Sequence, residues 1–565
     1  MFLFSFLFSY ADIEDEIVKR VHSHLLIYDY SSALKECEEG LSSYPESEKI
    51  KKAYIKSLAA NGKDDEAISI WKKMDFTSED ATLLEAVAWG VLKRLEYSSQ
   101  LTLNSASLMG AYATDDVHAV KILLNQLNST SAILRATAVQ LAPRYRDNQL
   151  IDKLIQLLST EKIWFVRLEV IKALGSMEVK EIKEPLKQLI THSRTTTEEK
   201  GVAIASLVTI YEDIEDKELG SLILSKRAGL RHLACQIVSH LDLKKRSAAI
   251  EKLLDDPTSD VRIAALNTLY LIGLKEVGSR GISKMFDLTE DPCPSVALTA
   301  AWGVSRLAPE TTLQVVRKWI YSTDESSRRL AAYILGRMGK VGMTLSHEVI
   351  KITPDPFVKA NLALGGIGQG GNSKRLADVL YAFLSIKKEK LMWDHSQSPF
   401  FQILSPSLIC HTPQVAQYPT MVDQLTRLEI LGMLAVLKHP HAEEGIKSFL
   451  RKQALGVTYA ASTTLLEEGG EDAIEILRGL LHAEEEMIRI QAAVVLAFSG
   501  KETEAIQVLQ EAYPLVDREM KVKILGALGY IGDKMSIPFL IGLLEEPYQV
   551  LKVMAASALI QCVYH

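Results

Sequence analysis

Few residues in this 565-residue chain stand in a pattern that could do chemistry, and each such pattern fails on spacing or context. His439-Pro440-His441-Ala442-Glu443-Glu444 gathers metal-ligating types. Its histidines, however, are not at the i, i+4 spacing that aims two ligands at one ion, so the segment reads as a solvated turn at a helix junction. The glycines Gly365, Gly366, Gly368, Gly370 and Gly371 of LALGGIGQGGNSK lack the preceding strand and the G-K-[ST] ending of a phosphate-binding loop, and they read as a helix end and turn. H-E-x-x-H, G-x-S-x-G and Walker-type motifs are absent. The five cysteines, Cys37, Cys235, Cys293, Cys410 and Cys562, are odd in number, far apart and without a C-x-x-C pair. They outline neither a disulfide framework nor a zinc site and read as small buried hydrophobes. No catalytic residue, metal ligand or cofactor is expected.

What does recur is a base on an apolar helix. In DDPTSDVRIAALNTLYLIG, Val261 and Arg262 are followed by Ala265 and Leu269, so Val261, Ala265 and Leu269 share one helical face that must be buried. The V-R-x-x-A-x-x-x-L frame returns as Val166-Arg167 with Leu174, Leu230-Arg231 with Ala234, Ile488-Arg489 with Ala492 and Leu496, and Leu551-Lys552 with Ala555 and Leu559. Looser copies lie at Arg135, Arg328, Lys359, Arg427 and Lys523. A second amphipathic run, such as LIDKLIQLL or AIEILRGLL, precedes each such helix. The unit is therefore a helical hairpin with a period of roughly 31 to 34 residues. One hairpin cannot bury both of its apolar stripes, so neighbours must stack, about fourteen of them through the body of the chain.

The composition agrees. Apolar residues make up 47% and aromatic residues only 7%, with Leu, Ala and Ile dominant, which suits helix-on-helix packing. The net charge of −7 excludes a global pull toward nucleic acid or anionic membrane. No stretch reaches the roughly 18 uninterrupted apolar residues of a transmembrane helix. At the front, MFLFSFLFSY and Ala11 read as a signal-peptide remnant or an apolar N-terminal extension, 1–11, leaving cytoplasmic and exported locations open.

Between residues 12 and 78, Asp29-Tyr30-Ser31-Ser32-Ala33-Leu34 and Asp64-Asp65-Glu66-Ala67-Ile68 place Ala33 and Ala67 at a 34-residue spacing, and the segment resembles the tetratricopeptide repeat family. The frame repeated through 79–384 and 421–565 resembles the HEAT-repeat family, in the short form found in phycobilin-lyase-type HEAT repeats. The resemblance implies an all-α fold, a right-handed α-solenoid of stacked helical hairpins forming an ARM/HEAT-like superhelix, with TPR-like N-terminal helices. In that family an acid stands six positions before the base. The spacing holds for Glu161 with Arg167, Asp256 with Arg262, Asp517 with Lys523 and Glu546 with Lys552, and Asp291 keeps the acid where Ala297 replaces the base. Together with Arg489, these residues are expected to form an inter-repeat ladder of ion pairs and helix caps in preference to a free cationic face, because the acid travels with the base.

The period breaks once. Residues 385–420 lack the frame and hold Pro399, Pro406, Pro413 and Pro419, which excludes a continuous helix. This loop insertion carries Trp393, Phe400, Phe401 and Tyr418, either as a partner-binding surface or as aromatics folded back onto the solenoid. Arg328 and Arg329, with Arg337 nearby, form the one tight arginine group and a second candidate for contact with a partner. The function expected is a non-catalytic scaffold or adaptor that binds a protein or extended peptide along the concave face of the solenoid. Two alternatives stay open: a lyase-like or metal-dependent enzyme of the HEAT family, and nucleic-acid binding along a basic inner groove. Against the first, HEAT-fold iron hydroxylases need several His-Glu pairs and His347-Glu348 is the one here. Against the second stands the acidic balance, and no nucleic-acid partner is expected.

Overall fold

A computed structural model of the chain describes residues 10–74, 80–95, 98–370, 373–386, 390–393, 409–411, 419–451, 458–499 and 502–564. Among these, 31 α-helices stand against two strands of three residues each, so the fold is all-α. Contacts gather the chain into two compact units, one made of Met1–Lys153 with Leu477–His565 and the other of Leu154–Ile476. Among the described residues no helix is long and apolar enough to cross a membrane.

In the second unit the frame helices Trp164–Ser176, Thr197–Ile210, Ala228–His240, Ser259–Ile272, Pro294–Val304, Glu325–Arg337 and Pro356–Gly368 pack each against the next. Thr197–Ile210, Ala228–His240 and Glu325–Arg337 are backed by their own first helices, Lys183–Thr191, Asp216–Ile223 and Pro309–Ile320. The sequence frame explains the row. Val261, Ala265 and Leu269 are all buried, and the small residue in the middle lets neighbouring helices approach. At one junction the approach requires glycine, because a Cβ on Gly365 would lie 2.5 Å from the Gly336 backbone. Gly365 therefore works inside a helix and not at its end, whereas Gly370, with φ of +72°, makes the following turn. Several starts are fixed by side chains: Asp324 accepts from the Ser327 N–H, Asp355 from the Phe357 and Val358 N–H groups ahead of Pro356, and Thr196 and Glu199 form a reciprocal capping box. The break in the period contains the one sheet among the described residues. Leu391–Trp393 pairs antiparallel with Ile409–His411, in place of the irregular loop expected.

The first unit joins both ends of the sequence. Its early helices include Tyr10–Leu26, Tyr30–Ser43, Glu48–Ala60, Asp64–Lys73, Ala81–Leu95 and Leu101–Ala113, and its late ones Glu486–Ala497, Arg518–Ile531 and Gln549–Tyr564. Gln549–Tyr564 packs against Arg518–Ile531 on one side and against Ala81–Leu95 and Leu101–Ala113 on the other. The Ser557 hydroxyl donates to the Gly110 carbonyl at 2.7 Å, although 447 residues separate them. The last frame helix thus meets early helices where a further repeat would stack.

Candidate functional site

The bases of the frame set the electrostatics of the repeats. Four guanidinium groups, those of Arg167, Arg231, Arg262 and Arg328, close their own helix starts and then reach the next hairpin. Arg262 donates from Nη1 to the Asp256 carbonyl six residues back at 2.8 Å, and from Nε and Nη2 to the Asp291 carboxylate, both at 3.1 Å. Arg231 repeats this on the Ser225 carbonyl and on Asp256, and Arg328 on the Ser322 carbonyl and on Asp355. Arg167 does so on the Glu161 carbonyl and on Glu199. The acid six positions before a base therefore offers that base its carbonyl. Its carboxylate serves the preceding repeat, as Asp256 serves Arg231 while also capping the Thr258 N–H at 2.9 Å. Burial pulls the Asp256 carboxyl upward, but the Arg231 guanidinium and the Thr258 N–H together hold it below the usual carboxylate range.

The other expected rungs differ. Arg489 bonds the Ala483 and Glu484 carbonyls at 2.8 and 3.0 Å. Lys523 meets Glu519 at 3.4 Å, while Asp517 caps the Met520 N–H. Glu546 accepts from the Tyr513 hydroxyl at 3.2 Å, and Glu161 from the Ile163 N–H at 2.9 Å. Lys552 reaches furthest in sequence: its ammonium pairs with Asp64 at 2.8 Å and with Asp65, at the start of Asp64–Lys73. Arg94 joins this cluster, with Asp64 at 3.1 Å and Gln549 at 2.6 Å. The Lys552 hydrogen bond, followed by Arg94, keeps the Asp65 carboxyl below its ordinary range.

The candidate binding residues are distributed unevenly. Arg328 and Arg329 do not offer free cations: both meet Asp355, and Arg329 is 7% exposed beneath the Phe357 ring, 4.1 Å from its centroid. Their adjacency is explained by that shared, buried acid. Of the aromatic set, Trp393 contributes its backbone to the ribbon, while Phe400, Phe401 and Tyr418 lie outside the described residues. The start of the insertion is anchored by Arg427, which donates to the Leu384 and Ile386 carbonyls and to Asp423, while Asp423 accepts from the Leu391 N–H. His439 is not solvated as expected. It is buried, faces Asp378 at 3.2 Å and packs with His441 around Tyr381.

The first unit holds a groove that the sequence did not announce. It has a volume of about 940 Å³ and is walled by the end of Tyr10–Leu26, Glu48–Ala60, Ala81–Leu95, Ala119–Leu127 and the turn before Asn148–Thr160. Trp89 and His118 pack along it with ring centroids 5.4 Å apart. Beside them Glu85, Asp116 and His118 each bring a possible metal-ligand atom to within 4.8 Å of the others. These donors also satisfy one another, because His118 Nδ1 lies 2.6 Å from Asp116 and the Tyr564 hydroxyl bonds Glu85. The trio spans 34 residues in sequence and follows no ligand motif, which is why it was not legible there. At the groove mouth Tyr28 adopts φ of +62°, and the Lys121 ammonium stands 4.8 Å from its ring centroid.

Comparison with known proteins gives the following. The family described as HEAT repeats matches residues 120–207. No curated protein matches the chain in sequence. Among solved structures, human deoxyhypusine hydroxylase in complex with glycerol is similar at 16% identity over 45% of this chain and 96% of its own, with a TM-score of 0.20. Kap121p bound to the extreme C-terminus of the protein phosphatase Cdc14p is similar at 12% identity over 98% and 80%, TM-score 0.32. The UNC-45 chaperone, described as binding and folding muscle myosin, is similar at 12% identity over 96% and 74%, TM-score 0.33. At these scores the fold rests on the chain's own repeats. Residues 120–207 thus carry the HEAT-repeat pattern, and the same base-and-acid hairpin recurs C-terminal to them at Arg231, Arg262 and Arg328.

Proposed function

We propose that this chain is a non-catalytic scaffold that binds a protein or an extended peptide on the surface of its helical repeats. The observation that carries the reading is the groove of the first unit. It is large enough for a run of side chains, and Leu26, Ile27, Tyr28 and Val117 stand 66%, 71%, 68% and 75% exposed in that region. Exposed apolar residues clustered around a cleft mark interaction surfaces. The ladder, by contrast, has its charges engaged within the repeats, which leaves little there for a polyanion. Insertion 385–420, with Trp393, Phe400, Phe401 and Tyr418, is proposed as a second contact element of the same scaffold.

Site-specific photo-cross-linking tests the reading. A photoreactive residue at position 28, at Leu224 in the second unit, or at Phe400 is expected to give discrete cross-linked protein bands in native extract from at least one position. Absence of such bands at all positions overturns the scaffold reading. Unchanged bands after deletion of 388–420 overturn the role of the insertion.

A further inference from the structure

We propose that the groove of the first unit takes an extended acidic segment of a partner protein, anchored by one apolar or aromatic side chain. This rests on the scaffold reading and adds the chemistry of the partner. Two independent observations lead to it.

The first is the apolar lip. Leu26, Ile27 and Tyr28 follow one another, each about two-thirds exposed, at the end of Tyr10–Leu26. Tyr28 occupies left-handed backbone at φ of +62°, where glycine would sit without strain. A bulky aromatic held there projects its ring at the groove mouth, at a position where a smaller residue would suit the backbone better.

The second is charge. Lys56, Lys93 and Lys121 line the groove together with His22 and His118, against the acids Glu85 and Asp147. Both acids are already engaged: Glu85 by the Tyr564 hydroxyl, and Asp147 by the Gln149 and Leu150 N–H groups at 2.8 and 3.2 Å. Lys56 donates to the neutral Thr82 hydroxyl at 2.9 Å, and Lys121 faces the Tyr28 ring. Among the described residues neither of these two lysines meets a carboxylate, although the whole chain carries a charge of −7. Lys56 and Lys121 thus set two cations without a carboxylate partner beside an apolar lip on an acidic protein. This pairing complements a segment carrying carboxylates beside an anchor side chain. A cleft walled by five elements suits a chain segment better than a flat membrane.

The test is selection of a random displayed peptide library on the full chain, followed by anisotropy titration of the enriched peptides. Asp/Glu-rich sequences with one large apolar residue are expected. Lys121→Glu and Tyr28→Ala are each expected to weaken them by at least about tenfold, and affinity should fall several-fold between about 50 and 300 mM salt. Melting temperatures of both variants within about 2 °C of wild type show that they fold. Enriched peptides without acids overturn the inference. Enriched peptides that bind both variants as tightly as wild type also overturn it, and leave the scaffold reading standing. Failure to enrich any peptide overturns it as well, and the cross-linking above then judges the scaffold separately. Competition by a single-stranded oligonucleotide, or Tyr28-dependent binding to anionic vesicles, assigns the groove to another partner class and overturns the proposal.

Discussion

Arg262 and Lys121 are both cations on the helices of this protein, and they differ in what meets them. Arg262 closes the start of its own helix on the Asp256 carbonyl and then clamps Asp291 of the next hairpin. Lys121 stands over an exposed tyrosine and, among the described residues, meets no carboxylate. Where an acid recurs in step with a base, as Asp256 and Asp355 do, the charge serves packing. Where a base appears off the repeat, as Lys56 and Lys121 do, its charge remains available. The same helix type therefore supports architecture in one region and, in the reading proposed above, recognition in the other.

The largest test of this division is Lys552. Its side chain is 2% exposed and that of its partner Asp64 is 0% exposed, so Lys552→Ala leaves a buried carboxylate with Arg94 as its remaining partner and is expected to cost about 3–4 kcal/mol in chemical denaturation. A loss below about 1 kcal/mol would place Lys552 with the groove lysines and break the comparison. Next comes Asp256→Ala, which unpairs Arg231 and removes the cap on Thr258. It is expected to cost about 2–3 kcal/mol, and Asp256→Asn to recover the cap but not the ion pair.

Glu429 is a third kind of charge, one met by a like charge. Burial, then Glu468, pushes its carboxyl up to about 7. Because the folded value lies above the unfolded one, the folded state holds the proton more tightly. Its stabilisation is complete below about pH 4.5 and is lost as pH rises through about 7. Glu429→Gln is expected to remove this loss and to raise stability at pH 8 relative to wild type by about 1–2 kcal/mol, allowing for solvent screening. An unchanged pH profile of the melting temperature would show that the pair does not titrate as described. The smallest effect is expected at Lys121→Ala, within about 0.5 kcal/mol of wild type. A larger loss would mean that Lys121 supports the fold and would erase the contrast with Arg262.

Much of the fold was legible because repetition makes local signals add. The face Val261, Ala265 and Leu269 recurs often enough to require stacked hairpins, and the base-and-acid step showed that charge belonged to the repeats. The direction of the pairing was not legible. Six residues separate Asp256 from Arg262 in sequence, yet the carboxylate serves Arg231, since a helix start turns the acid toward the previous repeat while leaving its carbonyl to its own base. Arg328 and Arg329 looked like a basic patch because sequence cannot display the buried Asp355 that both meet. The groove was invisible for a related reason. Tyr28, Glu85 and Lys121 belong to no common motif and meet only after three hairpins have packed.

The sequence by itself determined the repeating unit, its helical class and the residues that must be buried, because these follow from periodicity along a chain. Tertiary structure alone decided that Lys552 finds its acid at Asp64, 488 positions earlier. It also decided that a lysine-lined groove forms among the early helices. Both depend on which surfaces remain unpaired when stacking ends, a property of the packed chain that no local spacing records.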